Sequence, residues 1–299
     1  MAPHVVGLLG HTGRTGSVAL KVINQGHISG KLVLVILHRP GSDLSTVPVG
    51  IETREVDLSK PDQGQIKAAV EGLNVLISLV AWQGQGDQIH LFKPLAEVPG
   101  FVTYFNPVIG HPLWTSDQSS EDERVAAFVR SVQTNQDRAR EANIGFTSLQ
   151  TGVFTDFFFD IKYLGSDIDA NTVMLPTGAE SKQMPFVSTD CLGQAIGELA
   201  TRPPESIKDK LFHTYDYNPT GDEIVQTFAM LHGGKSPKIV EYTHEAYEMD
   251  VSSPPPSLKV GSGVYKHTWG SGEWNWEGER LGPREKNFEE LAKFYWSKR

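Results

Sequence analysis

The sequence predicts an α/β protein, a doubly wound parallel sheet followed by a smaller C-terminal lobe. Three observations carry this. Short apolar, β-branched runs alternate with segments of helical period over the first 150 residues. A glycine cluster follows the first run directly, and the pattern then loosens into an aromatic-rich second half. Strand, helix, strand alternation needs crossover helices on both faces of a parallel sheet.

The elements follow in order. Residues 5–9 are a continuous apolar run, and 17–24 carry apolar residues at helical spacing (Val18 and Val22, Leu20 and Ile23). Residues 32–37 are the second run, ended by Pro40-Gly41, and 51–56 the third. Asp57-Leu58-Ser59-Lys60-Pro61 is expected to open a helix through Val70 that stops at Gly72. Residues 75–80 and 101–105 are the fourth and fifth strands, with a helix over 88–98 between them; a helix over 121–143 leads to a sixth strand, 145–149. Phe157-Phe158-Phe159 and Val173-Met174-Leu175 read as buried pieces of the second lobe, and 188–200 as a helix capped by Ser188 or Thr189. Thr220-Gly221-Asp222-Glu223 has capping-box spacing, so 222–232 is predicted helical. Ser252-Ser253-Pro254-Pro255-Pro256 reads as a connector, and a tryptophan-rich stretch, 269–276, precedes a last helix over 287–296. The expected division is a nucleotide-binding domain over 1–156 and a smaller, partly interleaved substrate-binding lobe over 157–299.

Composition excludes several classes. The 299 residues hold 27 Lys+Arg and 36 Asp+Glu, a net charge of 27 − 36 = −9, with no run of basic residues, so nucleic acid is not an expected partner. The longest apolar runs fall far short of the roughly 20 residues of a membrane span. One cysteine, Cys191, cannot close an internal disulfide, and Met1-Ala2-Pro3-His4 leads straight into an apolar run without a basic leader, so a cytoplasmic location is expected. Scattered histidines give no metal-ligand spacing, and no Gly-x-Ser-x-Gly elbow is present.

The informative segment is Gly10-His11-Thr12-Gly13-Arg14-Thr15-Gly16, three glycines at every third position between a strand and a helix. One glycine permits the tight turn, one lets backbone approach a pyrophosphate, and one lets helix and strand pack closely. Free amides at the helix start then bind the anion. The chain is thus expected to hold a dinucleotide on a Rossmann-like fold through Gly10, Thr12, Gly13, Arg14, Thr15 and Gly16. Cofactor choice is read where the second strand ends, Leu37-His38-Arg39-Pro40, with no acid before Asp43. An NAD site places a carboxylate there; Arg39, helped by Arg14, suits the 2′-phosphate of NADP(H). Asp57, after the third strand, is placed to accept from the adenine amine or to start a helix.

These residues, together with Glu55-Val56-Asp57-Leu58, residues 75–80, Gln88 and the segment from Phe146-Thr147 through Gly152-Val153-Phe154, resemble the NmrA-like and isoflavone-reductase-like family of atypical short-chain dehydrogenases/reductases. The resemblance implies NADP(H) and places Ala81, Trp82, Gln83, Asn106, Pro107, Gly152 and Phe154 around the nicotinamide. Family members include NADPH-dependent reductases of small aromatic molecules and redox-silent regulators. Two departures stand out. Asn106-Pro107-Val108-Ile109-Gly110 replaces the family's Pro-Ser-Glu/Asp-Phe-Gly, and the lysine it carries about fifteen residues before the position of Thr147 is missing, the stretch reading Arg130-Ser131-Val132-Gln133-Thr134. No tyrosine is followed four residues later by lysine either.

Hydride transfer to a carbonyl needs positioning and one proton source. His111, Trp114, Thr151, Asp156, Lys162 and Tyr163 are expected to face the pocket; His111, Asp156 and Lys162 are the candidate proton carriers, each with an ordinary structural role as its alternative. Trp82, Trp114, Phe154, Phe157 and Trp269 are expected to wall a site for a flat aromatic substrate, with 269–276 as a lid. The foremost expectation is an NADPH-dependent reductase of a small aromatic secondary metabolite. A redox-neutral isomerase or cyclase that retains NADP, and a non-catalytic NADP sensor with a protein partner, remain open beside it.

Overall fold

The apolar runs do become strands, and their hydrogen bonding fixes the topology. The computed structural model describes residues 3–108, 122–254, 257–272, 274, 276 and 278–299. The first six strands are β1 (His4–Leu9), β2 (Leu32–His38), β3 (Glu52–Glu55), β4 (Val75–Ser78), β5 (Thr103–Val108) and β6 (Gly145–Thr151). They are followed by β7 (Val153–Phe154), β8 (Thr172–Pro176), β9 (Phe186–Val187), β10 (Leu211–Thr214), β11 (Lys238–Tyr242) and β12 (Glu279–Leu281). One eight-stranded sheet runs β12-β10-β6-β5-β4-β1-β2-β3, parallel throughout. Two parallel pairs, β7 with β9 and β8 with β11, lie outside it. The chain winds outward from β1 to β2 and β3, then returns to β4 and winds the other way. The β1/β4 boundary is therefore the switch point where an open α/β sheet binds its ligand.

The helices are α1 (Arg14–Ile28), α2 (Gln63–Val70), α3 (Ile89–Ala96), α4 (Glu123–Glu141), α5 (Thr155–Phe159), α6 (Thr189–Thr201), α7 (Pro204–Ile207), α8 (Gly221–Leu231), α9 (His244–Val251), α10 (Leu258–Ser271) and α11 (Phe288–Trp296). One sheet face, with Val6, Leu8, Leu34, Ile36, Ile77 and Leu149, is covered by α1 and α6 through Leu20, Ile23, Ile196 and Leu199. The other face, with Val35, Leu37, Leu76, Tyr104 and Phe146, is covered by α2, α3 and α4 through Ile66, Leu91, Leu95 and Ala139. A separate core joins α5, β8, α8, α10 and α11, with Phe158, Phe186, Phe228, Tyr265, Trp269 and Phe288 at its centre. Residues beyond 157 thus divide between this core and the main sheet, to which they supply α6, β10 and β12. α6 lies so close on α1 that a methyl group at Gly193 or Gly197 would sit 2.4 or 2.1 Å from the Val18 or Val22 side chain.

Local signals set several boundaries. Ser188, not Thr189, caps α6, its hydroxyl accepting from the Cys191 amide. Both reciprocal bonds of the capping box at Thr220 and Glu223 are made. Elsewhere the structure differs from the sequence reading. The helix expected from Asp57 begins only at Gln63, because the Asp57 carboxylate takes the Ser59 amide (3.0 Å) and hydroxyl (2.6 Å) in a turn of its own, and Asp62 becomes the cap. The fifth strand continues through Asn106, Pro107 and Val108, paired with Ser148, Leu149 and Gln150 of β6. Trp269 is no lid: it lies on α10, fully buried, its indole N–H donating to the Lys182 carbonyl at 3.0 Å. Among the described residues no helix is long and apolar enough to cross a membrane.

Truncating Trp269 to alanine is expected to destabilise the chain by about 3–5 kcal/mol through loss of buried area and the cavity left behind. Urea denaturation measures this directly, and a loss below about 1 kcal/mol would show that the indole is not a core group.

Candidate functional site

The loop between β1 and α1 is built by backbone contact. Gly10 has φ +91°, and a Cβ there would lie 2.7 Å from the Leu79 carbonyl carbon and oxygen, so the loop rests directly on the chain leaving β4. A Cβ on Gly16 would lie 2.0 Å from the Gly10 carbonyl oxygen, so the first turn of α1 is pressed against the loop. Gly13 differs: a Cβ there would meet only the Gly10 oxygen, at 3.5 Å, so this position opens outward. It is also the N-cap of α1, and it offers no side chain to the helix amides. With no acidic residue in that first turn, the positive end of the helix and its free amides face the same opening. A phosphate-bearing ligand fits this donor set. His11, buried, ties the loop to the segment after β2 through the Asp43 carbonyl at 3.2 Å, a link the glycine spacing did not reveal.

Arg39 follows β2 and is exposed, with no ion-pair partner among the described residues. The Val56 amide donates to the His38 carbonyl at 2.8 Å, which brings Asp57 beside it. The Ser59 hydroxyl bond holds the Asp57 carboxyl below its ordinary range. Arg14 does not join this group. Its guanidinium donates to Asp156 at 2.7 Å, and Asp156 follows β6, on the far side of β1 from β2. The Tyr295 hydroxyl donates to the other Asp156 oxygen and lies 3.2 Å from the Thr155 hydroxyl. Both oxygens of the expected acid are therefore engaged, and the glycine loop is linked through α5 to α11. Lys162 is engaged too: it stands at φ +55° after α5 with its ammonium on Asp167 at 2.5 Å.

The ends of β4, β5 and β6 carry a buried amide network on the α4 side of the sheet. Gln85 Oε1 accepts from Gln88 (2.7 Å), Asn135 (2.9 Å) and Asn106 (3.3 Å), while Gln88 Oε1 accepts from the Ser78 and Tyr104 hydroxyls. Burial pushes the Tyr104 phenol up to about 12. Asn106 thus points into this network, its amide also donating to the Tyr104 hydroxyl at 3.1 Å. Gln85, Tyr104 and Asn135 were not singled out in the sequence. Polar residues two apart in an apolar strand, Tyr104 and Asn106, are the signal that could have found them. Asn135 Oδ1, Gln150 Oε1 and Thr151 Oγ1 are buried without a hydrogen-bond partner among the described residues.

Gly152 turns the chain out of β6 where a Cβ would lie 2.6 Å from the Pro185 carbonyl oxygen. A row of rings starts just beyond it. Centroid distances are 5.3 Å from Phe154 to Phe157, 5.8 Å to Tyr163, 6.2 Å to Tyr265, 6.1 Å to Trp274 and 6.3 Å to Trp276. All except Tyr265 are half-buried, so one edge of the row is accessible. Trp274 and Trp276 join this row, whereas Trp269, expected beside the substrate, is buried in the core of the lobe. His111 and Trp114 fall in 109–121, outside the described residues, as does the Trp82 side chain. Among the described residues no group of three His, Cys, Asp or Glu could hold a metal ion.

No protein-family model matches the sequence, and no curated protein matches it. Solved structures do. A leucoanthocyanidin reductase from Vitis vinifera, in complex with NADPH, is 14% identical, with 98% of this chain and 99% of that one covered and a TM-score of 0.74. An isoflavone reductase is 15% identical over 98% and 99%, TM-score 0.76. A Citrobacter sp. triphenylmethane reductase complexed with NADP(H) is 18% identical over 97% and 99%, TM-score 0.66. Over nearly its whole length, this chain has the fold of these isoflavone-reductase-like proteins.

Proposed function

We propose that this chain is an NADPH-dependent reductase of a small, flat aromatic metabolite. The observation that carries the reading is the glycine loop at the β1/β4 switch point, open at Gly13, with Arg39 at one side and the ring row from Phe154 to Trp276 at the other. In this reading Gly13 and the α1 amides take the pyrophosphate and Arg39 takes the 2′-phosphate. The nicotinamide reaches the ends of β4, β5 and β6, and the substrate lies between it and the 157–299 lobe. NADP(H) supplies the hydride; the chain's part is to orient it, exclude water and hold the substrate against the rings. The structurally similar reductases support this assignment, two of them having NADPH or NADP(H) bound. One observation favours a second reading, a redox-neutral isomerase or cyclase that retains NADP: Asp156 and Lys162 are both engaged in ion pairs, and 130–134 offers no lysine.

Three outcomes test this. Gly13→Ala is expected to fold and melt like wild type, since its methyl group enters open space, yet to lose NADPH binding measured by tryptophan-to-nicotinamide energy transfer; retained binding would remove the loop from the cofactor site. Arg39→Ala should weaken NADP+ by about 10- to 100-fold, the worth of one charge-assisted bond, and leave NAD+ nearly unchanged. Incubation with NADPH and aromatic carbonyl substrates should consume reduced cofactor in step with product, whereas product without consumption would establish the redox-neutral reading.

A further inference from the structure

We propose that Tyr163 donates a hydrogen bond to the substrate oxygen on which negative charge develops, serving where 130–134 offers no lysine. The inference rests on the reductase reading for the identity of that oxygen, and on geometry for the residue. Tyr163 is the one hydroxyl-bearing, half-buried member of the ring row, held edge-on between Phe157 and Tyr265. Its backbone is pinned at both groups: the Tyr163 amide donates to the Phe157 carbonyl at 2.8 Å, and the Ser262 hydroxyl donates to the Tyr163 carbonyl at 2.5 Å. The ring is therefore fixed from α5 on one side and α10 on the other.

Its hydroxyl has a defined berth. A Cβ on Gly261 would lie 2.5 Å from Tyr163 Oη and 3.2 Å from the Phe128 ring edge, so glycine at 261 leaves the space that the hydroxyl occupies beside α4. From Phe128 that helix runs through 130–134 to Asn135, whose amide meets Gln85 beside Asn106 at the strand ends. Seven residues of helix span about 10 Å, the length of a fused-ring substrate. Tyr163 Oη thus stands at one end of the stretch in question and the cofactor end of the sheet at the other. Among the described residues it has no hydrogen-bond partner.

The surroundings keep it a donor. Burial and the charge of Asp250 hold the phenol well above its ordinary range. Asp250 is itself occupied by the Lys266 ammonium at 2.9 Å and the Tyr242 hydroxyl at 2.8 Å, so it does not take the Tyr163 proton. A phenol that resists ionisation is suited to stabilise an oxyanion, not to act as a base. In the reaction the hydride adds to a conjugated ring carbon at the cofactor end of the substrate, the π pairs shift along the fused rings to a carbonyl oxygen at the far end, and Tyr163 shares its hydrogen with that oxygen. A proton from water then completes the product hydroxyl, and Tyr163 keeps its own.

4-Nitrophenolate is the probe, an aromatic oxyanion with a colour that reports hydrogen bonding, titrated into the full chain saturated with NADP+. Wild type should bind it with its absorption band displaced to shorter wavelength. Tyr163→Phe should weaken binding by about 10- to 100-fold, as expected for a hydrogen bond to a charged group, with the band moved to longer wavelength. Gly261→Ala should move both readings the same way by displacing the hydroxyl, and it carries the test if the phenylalanine variant does not fold. Absence of binding to wild type, or binding by either folded variant equal to wild type, overturns the proposal. No turnover enters this experiment, so a chain that binds the probe yet consumes no NADPH would defeat the reductase reading while leaving the Tyr163 site standing.

Discussion

The site depends on one close contact, between the backbone leaving β1 and the backbone leaving β4. Because Gly10 lies on the Leu79 carbonyl with no room for a side chain, the two chain segments that flank the switch point are held as one surface. The parallel sheet fixes where β1 and β4 end, the loop fixes where α1 begins, and Gly16 fixes how closely α1 returns. The amides of α1 and the ends of β4, β5 and β6 therefore keep a constant separation, as one surface for a ligand held at both places.

Two charged contacts tie the aromatic lobe to that surface. Arg14, Asp156 and Tyr295 connect the loop, α5 and α11. Asp216, fully buried, accepts from the Ser188 amide (2.8 Å), the Ser188 hydroxyl (2.6 Å) and the Lys286 ammonium (3.0 Å), joining the start of α6 to the segment before α11. A buried carboxylate is tolerable only with such a full set of donors. Since α6 packs on α1, the lobe and the glycine loop share a scaffold, and the ring row beginning at Phe154 is positioned from the same end of the sheet.

Much of this was legible in the sequence because its signals are local. Apolar runs marked the strands, the Thr220 capping box marked α8, and the glycine triplet marked the loop, since each depends on residues a few positions apart. What was missed depends on partners distant in the chain. Asp57 looked like a helix start until Ser59 claimed its carboxylate, and Arg14 looked like a companion of Arg39 until Asp156, 142 residues on, turned it the other way. Trp269 lay in a glycine-interrupted stretch that suggested a lid, yet helix α10 continues through it and buries the indole under Lys182. The amide network at Gln85 left only a partial trace, the polar pair Tyr104 and Asn106 in an apolar strand, because its members come from β5, α4 and the turn after β4.

The central claim, that the loop and Arg39 together form a site for NADPH and not NADH, is tested most directly by calorimetric titration of the wild-type chain with each dinucleotide. Saturable binding of NADPH at one site per chain is expected, with NADH weaker by about tenfold or more, the worth of one charge-assisted phosphate contact. Equal affinity for the two, or no heat of binding for either, would contradict it.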